Sequence, residues 1–434
     1  MTSLPPNNTF TLAWLCSTPK ELFAAREMFY SSYGKHPLTR DPSDSNIYEL
    51  GRIGRNNVVM VQLPSTSICE AIYQAEHQRD LHPAEQDDRW AAATLGCGIA
   101  LKALKRSFPS LGLAVMVTVG AGVRDPATDG VEIMRGDVIV GMPDRRFWGL
   151  AMVDFEEHDS TSTTTTASAS ATTNASTATE TEVEMDTDTD TSSSLHLQLS
   201  FPPNLNAQTY PRHLVIAAHA LRADRGLGRQ SRIPFFLERM FEWYPDKRAQ
   251  YVYPGIIEDK EDEGEEDEEV EEDEEDEDED EEEDTQSQTS RESNSLVHHG
   301  TIAILQHSIA NDTAHPTLKL MLKNGLKEHG IKGTLDTATD VRTPEVSDRA
   351  AAAAVANEFL PTLVICGVCD LVYIDPDADA RADSPGRWEA YAAAMAAAYA
   401  KELLETLAPL PVKRGCPNSQ EGLYRSWWGG GYFV

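Results

Sequence analysis

The sequence has no run of about 18 apolar residues, the length that spans a membrane. Its first residues, Met1 to Phe10, have neither the basic nor the apolar region of a secretory signal. Cysteines are also few, six in 434 residues, which is typical of a reducing compartment. We therefore expect no membrane partner and a cytoplasmic location, with the nucleus open as a second one.

Several catalytic and metal-binding motifs are absent as well. There is no GxSxG, HExxH, GxxxxGKS/T or complete GxGxxG pattern, which disfavours serine hydrolases, zinc proteases, P-loop ATPases and dinucleotide-binding folds. The twelve histidines show no metal-ligand spacing, and we interpret His298-His299 as a loop pair before a strand. Cys366 and Cys369 lie in an apolar run, where residues three apart on a strand face opposite sides, so we expect core cysteines and no bound metal. No strongly basic face is evident, which disfavours nucleic acid as a partner.

Two polar segments of the sequence have a strongly biased composition. Residues 156–196 are nearly all Ser, Thr, Ala, Asp and Glu, and residues 258–296 are strongly acidic. Within the second, residues 258–284 hold 24 acids and one lysine, which contribute −23 of the formal net charge of −34. Neither segment can bury enough apolar surface to offset chain ordering, so we expect two disordered inserts. The acidic insert is either a solubilising loop or a surface that attracts basic proteins.

Outside these segments, apolar runs rich in β-branched residues alternate with helical patterns. This pattern favours an α/β fold of three α/β/α layers around a mixed, mostly parallel sheet. We predict one domain over residues 9–407, holding both inserts, and a C-terminal tail over residues 408–434. The predicted strands are Thr9–Cys16, Asn57–Leu63, Leu113–Val119, Asp137–Val140, Gly149–Phe155, Gly300–Gln306 and Thr362–Val368. The predicted helices are Glu21–Tyr30, Arg89–Ser107, Pro211–Arg222, Pro234–Trp243, Asp348–Phe359 and Trp388–Leu407.

Three features at predicted strand ends are candidate site residues. Gly120-Ala121-Gly122-Val123 follows a strand, and its small residues allow backbone N–H groups to approach a phosphate or sugar, although a tight structural turn explains them equally well. Asp370 ends the last apolar strand, where it is either a general acid or a helix N-cap. Glu21 lies five residues beyond the first strand. It is either a base directed at the same crevice or a glutamate in the first turn of a helix.

In their order and spacing, these features resemble the purine and uridine phosphorylase and nucleosidase superfamily, in particular its fungal branch associated with NOD-like receptors. The resemblance covers roughly residues 9–407, apart from the inserts, and rests on the collinearity of several stretches. Those stretches are Leu12–Glu21, Tyr48-Glu-Leu-Gly-Arg-Ile-Gly54, Asn57–Pro64, Val117-Thr-Val-Gly-Ala-Gly-Val123, Arg135-Gly-Asp-Val-Ile-Val140, Tyr253-Pro-Gly255, Gly367-Val-Cys-Asp370 and the Ala-rich stretch Trp388–Leu404. No nucleotide-binding or repeat module follows, so we expect a free-standing, divergent member.

The resemblance implies cleavage of the N-glycosidic bond of a nucleoside, with water or phosphate as the attacking group. It implies that Asp370 protonates a purine base and that Glu21 activates water. Gly120 and Gly122 then belong to the turn near the sugar or phosphate. The implied partner is a small-molecule nucleoside, no metal or organic cofactor takes part, and a homo-oligomer is an open possibility.

The sequence also departs from the family pattern. Where the family has the glutamate that holds the ribose hydroxyls, this chain has Ala350–Ala354, and Cys366 stands in place of an arginine. The family's Ser-Gly-Asn is replaced by Ile304-Leu305-Gln306, and Glu345 and Asp348 are alternative carboxylates for the ribose. Two hypotheses follow. The chain is an active nucleosidase or phosphorylase, or it is a degenerate member that senses nucleosides or binds proteins through its acidic loop.

Overall fold

The computed structural model describes residues 4–77, 86–123, 132–143, 147–159, 179–181, 193–200, 210–254, 296–305, 324–335, 348–372 and 385–411. Almost all of the predicted acidic insert, residues 258–295, lies outside the described residues, as do most of the Ser/Thr-rich insert and the tail beyond residue 411. No helix among the described residues is both long and apolar enough to cross a membrane.

Every predicted strand and helix has a counterpart within a few residues of its expected bounds. The strands are β1 Phe10–Cys16, β2 Ser31–Gly34, β3 Tyr48–Ile53, β4 Asn56–Gln62, β5 Leu113–Gly122, β6 Val138–Gly141, β7 Leu150–Asp159, β8 Thr179–Thr181, β9 Ser193–Ser200, β10 Val297–Leu305, β11 Ile331–Leu335 and β12 Thr362–Leu371. The helices are α1 Pro19–Arg26, α2 Thr66–His77, α3 Gln86–Ser107, α4 Arg212–Gly226, α5 Ile233–Trp243, α6 Arg248–Tyr251, α7 Asp348–Phe359 and α8 Pro385–Thr406.

These strands form one mixed sheet in the order β2-β3-β4-β1-β5-β12-β6-β10-β7-β9-β8. Its centre is parallel, because β4, β1, β5 and β12 pair in parallel, and so do β6, β10 and β7. The join between β12 and β6 is antiparallel, as are the outer pairs β2–β3, β3–β4, β7–β9 and β8–β9. The prediction of a mixed, mostly parallel sheet is therefore confirmed.

Two separate hydrophobic clusters show that helices cover both faces of this sheet. One cluster joins α1, α4, α5 and α8 to one face and includes Val115 and Val117 of β5. The other joins α3 and α7 to the opposite face and includes Ala114 and Met116. Side chains of a strand alternate between faces, so β5 contributes to both clusters. The three-layer architecture is confirmed.

The sheet also closes on itself, which the layered prediction did not include. Strand β11 pairs in parallel with β10 and antiparallel with β5, through Gly333 opposite Gly122 and Thr334 opposite Ala121. The chain of pairings β5–β12–β6–β10–β11–β5 is thus a closed ring. The carboxyl end of β5 completes this ring by pairing with both β11 and β12.

The interpretations of two polar stretches are wrong. Residues 156–159, 179–181 and 193–196 were expected to be coil, but they lie in β7, β8 and β9, and Asp159 pairs with Ser193. The physical reason is the alternation Leu195-His-Leu-Gln-Leu199, a strand pattern that can pair with the end of β7. His298 and His299 are not in a loop. They lie near the start of β10, where they pair with Ile139 and Val140.

Candidate functional site

Glu21 is fixed at the start of α1 by a capping box. Thr18 is the N-cap residue, and its hydroxyl accepts the backbone N–H of Glu21 at 3.3 Å. In return, Oε2 of Glu21 accepts the backbone N–H groups of Ser17, at 2.7 Å, and Thr18, at 3.1 Å. These bonds satisfy N–H groups that the helix itself leaves unpaired. The glutamate therefore has a structural role at the carboxyl end of β1, as its first-turn position allowed.

The second carboxylate oxygen of Glu21 connects α1 to the opposite face of the sheet. Oε1 accepts the hydroxyl of Thr118, in β5, at 3.1 Å and Nε of Arg349, in α7, at 2.8 Å. The side chains of Glu21 and Arg349 are 0% and 6% exposed. A carboxylate has about four lone-pair positions, so the four protein donors occupy the full acceptor capacity of Glu21.

Arg349 is shared between two acidic residues. Its guanidinium also donates to Glu389 of α8, and Glu389 accepts Lys20 of α1. Burial alone would raise the pKa of Glu389, but Arg349 and Lys20 beside it lower that pKa below its usual value. Likewise, burial opposes the charge of Arg349, but Glu21 and Glu389 raise its pKa above the usual value. We call these four charged residues, with Thr118, the Glu21 cluster.

Arg349 was not among the residues singled out from the sequence. It changes the interpretation that Cys366 removes a cation from this region. Cys366 is fully buried in β12, where the family pattern has an arginine, and burial raises the pKa of its thiol well above the usual value. Arg349 acts electrostatically on both Cys366 and Cys369. A cation therefore reaches this end of β12 from α7 instead of from β12 itself. A single arginine at the start of an alanine run was the available signal.

Asp370 lies one residue before the end of β12, after a register shift that follows Val368. Its Oδ1 accepts Nη2 of Arg135 at 2.9 Å and the backbone N–H of Leu371 at 2.8 Å. The aspartate side chain is 26% exposed and the arginine 20%. Because residues 373–384 lie outside the described part of the chain, the N-cap alternative for Asp370 stays a prediction.

A row of aromatic rings begins at Arg135 of this ion pair. The guanidinium carbon of Arg135 lies 6.0 Å from the ring centre of Trp388, which is 5.3 Å from that of Tyr253. Tyr253 in turn lies 5.5 Å from Tyr391. These five residues, Arg135, Tyr253, Asp370, Trp388 and Tyr391, are called the Asp370 cluster below. Half-buried rings around a charged pair form the kind of surface that binds a flat heterocycle.

The turn that carries Arg135 is itself tightly held. Gly136 has φ +91°, and a Cβ there would lie 2.7 Å from the ring of Tyr391, so no other residue fits without strain. The next residue, Asp137, accepts the backbone N–H of Met134 and Nε2 of His298, each at 2.9 Å. The Arg-Gly-Asp sequence therefore forms a tightly held turn from which the side chain of Arg135 extends.

The predicted glycine turn is a strand. Gly120 and Gly122 belong to β5 and pair with β12, and Ala121 and Gly122 also pair with β11. The backbone N–H of Val123 donates to the carbonyl of Lys332 at 2.9 Å. A Cβ on Gly120 would lie 2.2 Å from the carbonyl oxygen of Thr334. The turn prediction is wrong because close strand packing requires these glycines, and a sugar or phosphate contact here stays a prediction.

The alanines that replace the family's ribose-binding glutamate are core residues. Ala350–Ala354 lie in α7 with at most 2% of their surface exposed, and Ala351 packs against Ala93 of α3. Glu345 lies outside the described residues, and the side chain of Asp348 is likewise not described. Whether either carboxylate takes the place of a ribose-binding glutamate therefore stays a prediction.

The two clusters adjoin along neighbouring strands. Thr118, which contacts Glu21, pairs with Cys366, while Ala121 pairs with Asp370. Three residues of strand separate these positions, roughly 10 Å at about 3.3 Å per residue. Helix α8 supplies the adjacent residues Trp388 and Glu389, one to each cluster. Both predicted carboxylates, Glu21 and Asp370, thus lie at the same carboxyl edge of the sheet, where open α/β sheets bind ligands.

Within the described ranges, no group of three or more His, Cys, Asp or Glu side chains could hold a metal ion. Cys366 and Cys369 are buried in the two hydrophobic clusters, which lie on opposite faces of the sheet, as expected of core cysteines.

The known proteins that are similar to this chain share low sequence identity with it. No family model matches the chain. A nucleotide-binding leucine-rich repeat (NLR)-like protein from the fungus Hyaloscypha variabilis is 25% identical over 412 residues, which are 95% of this chain. The chain spans only 30% of the length of that relative.

Several solved structures are similar to this chain at low identity. A 5'-methylthioadenosine/S-adenosylhomocysteine nucleosidase from Neisseria meningitidis, in complex with methylthio-immucillin-A, is 13% identical, with a TM-score of 0.37 over 92% of this chain and 99% of that one. Futalosine hydrolase from Helicobacter pylori is 10% identical, with a TM-score of 0.35 over 92% and 99%. Uridine phosphorylase from Vibrio fischeri is 10% identical, with a TM-score of 0.37 over 92% and 93%. Because these scores are below 0.5, the fold assignment rests on the strand order and the layered core.

Proposed function

We propose that this chain is a nucleoside phosphorylase/nucleosidase-like protein that hydrolyses the N-glycosidic bond of a purine nucleoside. The observation that carries the proposal is that Glu21 and Asp370 lie at the same carboxyl edge of the sheet, on either side of β5. A transition state with positive charge on the sugar and negative charge on the leaving base needs an acid at the base and a positioned nucleophile.

In this reaction, a proton on Oδ2 of Asp370 passes to the purine as the bond to the sugar breaks and the electron pair of that bond moves to the base. Arg135 then pairs with the carboxylate that remains. Water adds to the sugar carbon and passes a proton to Glu21. Glu21 can accept that water only after losing one of its four donors. The Thr118 hydroxyl, neutral and 3.1 Å away, is the donor that water replaces with least loss. Arg349 then keeps the carboxylate in place.

Water is favoured over phosphate as the attacking group. The two cations of the Glu21 cluster, Lys20 and Arg349, already pair with carboxylates. A phosphate would have to take one of these cations from its partner, which leaves a buried carboxylate without charge compensation. Hydrolysis requires no such exchange.

A second candidate function is nucleoside binding without cleavage. Two observations favour it. The carboxylate of Glu21 is fully occupied by protein donors, and the ribose-binding glutamate is replaced by the buried alanines Ala350–Ala354. Under this alternative, Glu21 and Arg349 serve only to hold α1, α7 and α8 together, and the Asp370 cluster binds the base.

Release of free base separates the two functions. The purified chain is incubated with inosine, guanosine, adenosine and uridine, with and without phosphate, and products are separated by chromatography. We expect phosphate-independent release of a purine, reduced by roughly 10²- to 10⁴-fold in Asp370→Asn, which cannot donate the proton. Asp224→Asn, the same change at an exposed ion pair with Arg229, serves as the control.

Binding without release would support the second function, and neither binding nor release would contradict both.

A further inference from the structure

We infer that the base bound at the Asp370 cluster is a 6-oxopurine, as in inosine or guanosine, and that Arg135 is the residue that selects it. The inference rests on the proposed function, since it specifies the substrate of the same site. Its physical basis is the number of donors and acceptors that this cluster has left to offer.

The first step concerns the arginine. Nη2 of Arg135 donates to Asp370, but Nε is buried and has no hydrogen-bond partner within the described part of the chain. Buried donors of native proteins are nearly always paired. The guanidinium lies over the ring of Trp388, and a guanidinium has five N–H donors, so the group can donate to a further acceptor while it stays paired with Asp370.

The second step concerns the aspartate. Oδ1 of Asp370 already accepts two hydrogen bonds, from Arg135 and from the N–H of Leu371. Among the described residues, Oδ2 accepts none, so it alone is available to a ligand. A 6-aminopurine presents an acceptor at N7 and a donor at the 6-amino group. Recognising that pair through a carboxyl group takes both of its oxygens.

The third step compares the two base classes. A 6-oxopurine presents two acceptors, N7 and O6. Protonated Oδ2 of Asp370 can donate to N7 while the guanidinium of Arg135 donates to O6, a pairing that uses the free capacity of both residues. An amino group at the same position would face a guanidinium, which only donates hydrogen bonds. The cluster therefore favours the oxo form.

Equilibrium binding of free bases tests this inference directly. Hypoxanthine, guanine and adenine are titrated into the full chain by calorimetry. We expect the two 6-oxopurines to bind roughly 10- to 100-fold more tightly than adenine. In Arg135→Gln this preference should fall to within about threefold, because the fork of donors is lost. Arg135→Lys, which keeps a charge beside Asp370, should retain part of the preference for 6-oxopurines.

Arg229→Gln is the matched control, because Arg229 forms an exposed ion pair on another face, and thermal unfolding confirms that each variant is folded. Adenine binding as tightly as hypoxanthine in the unchanged protein, or a preference that survives in Arg135→Gln, would overturn the inference and leave the proposed function standing. If no purine binds the unchanged protein, the proposed function itself is wrong.

Discussion

Arg349 is the side chain on which the buried charges of the site depend. It pairs with Glu21 and Glu389 at once, and the side chains of all three residues are largely removed from solvent. Burying a charge is costly unless it is paired and hydrogen-bonded. The same contacts join α1, α7 and α8, so one residue couples the electrostatics of the site to the packing of three helices.

We predict that Arg349→Met lowers the free energy of unfolding by about 3–5 kcal/mol, because Glu21 is left buried without its cation. Urea unfolding at neutral pH measures this loss. Arg229→Met, which breaks an exposed ion pair, should cost only about 0–1 kcal/mol. Adding Glu21→Gln to Arg349→Met should recover part of the loss. A variant within about 1 kcal/mol of the unchanged protein would show that the pair has little structural weight.

His299 gives the protein a specific sensitivity to acid. Burial, and then the positive charges of Arg222 and Arg225, lower the pKa of His299 to about 4. The unfolded chain binds this proton near pH 6.5, so the unfolded state holds more protons between the two values. Stability due to neutral His299 is therefore complete above about pH 6.5 and is lost as the pH falls toward 4.

We predict that His299→Phe reduces the loss of stability on acidification by up to about 1.4 kcal/mol per pH unit in that window. Unfolding free energies of both proteins are compared from pH 7 to pH 4, so that titration of the many carboxylates cancels in the difference. Parallel curves for the two proteins would rule out the assigned role of His299.

At the scale of secondary-structure elements, the carboxyl end of β5 closes the ring of strands. Gly120 has no room for a side chain, because a Cβ would lie 2.2 Å from the carbonyl oxygen of Thr334 in β11. That oxygen belongs to a paired backbone and cannot move away as a flexible side chain would. The glycine is required by packing between strands and has no need of a ligand to explain it.

We predict that Gly120→Ala destabilises the fold by about 1–3 kcal/mol or more through this overlap. Gly112→Ala is the matched control, since a Cβ there has nothing within 4 Å. Thermal or denaturant unfolding compares the two variants. If Gly120→Ala keeps its stability and loses nucleoside binding instead, Gly120 is a ligand-binding residue and the structural explanation is wrong.

The sequence predicted the elements with strong local signals and not those that depend on distant partners. The helix Asp348–Phe359 was predicted with its observed bounds, because its alanines give it a clear pattern. Strand β11, Ile331–Leu335, has only five residues and is defined by its pairing with β10 and β5. No local pattern encodes such a pairing, so the closed ring was not predicted.

The same distinction applies to the site. Glu21 and Asp370 were found because each follows an apolar strand, and the structure brings both to one edge. Their partners are remote in sequence, at separations of 328 positions for Glu21 and Arg349 and 235 positions for Arg135 and Asp370. Contacts across such distances follow from the fold as a whole, which is why the cations that complete both clusters were missed.

At the scale of the whole molecule, the charge is divided unevenly along the chain. Residues 258–284 contribute −23 of the net charge of −34, and they lie outside the described residues. Attraction between such a run and a basic protein acts over several ångströms and is weakened by salt. We keep the proposal that this segment contacts basic partners, separately from the site at the sheet edge.

We predict that deleting residues 258–284 abolishes binding to polylysine at low salt and leaves nucleoside binding and cleavage unchanged. Binding is measured by light scattering or calorimetry at low and high ionic strength, and the unchanged protein should lose its binding at high salt. Deleting residues 160–178, which carry no charged side chain, is the control. Retention of polylysine binding by the acidic deletion would refute the contact proposal.

The most direct measurement is a crystal structure of the full chain with bound inosine. We predict that its base lies against Trp388 with N7 at hydrogen-bond distance from Asp370 and O6 at that distance from Arg135. The ribose should extend toward Glu21 and Thr118. A nucleoside bound away from this edge, or no bound nucleoside at saturating concentration while the protein remains folded, would contradict the assignment of the site.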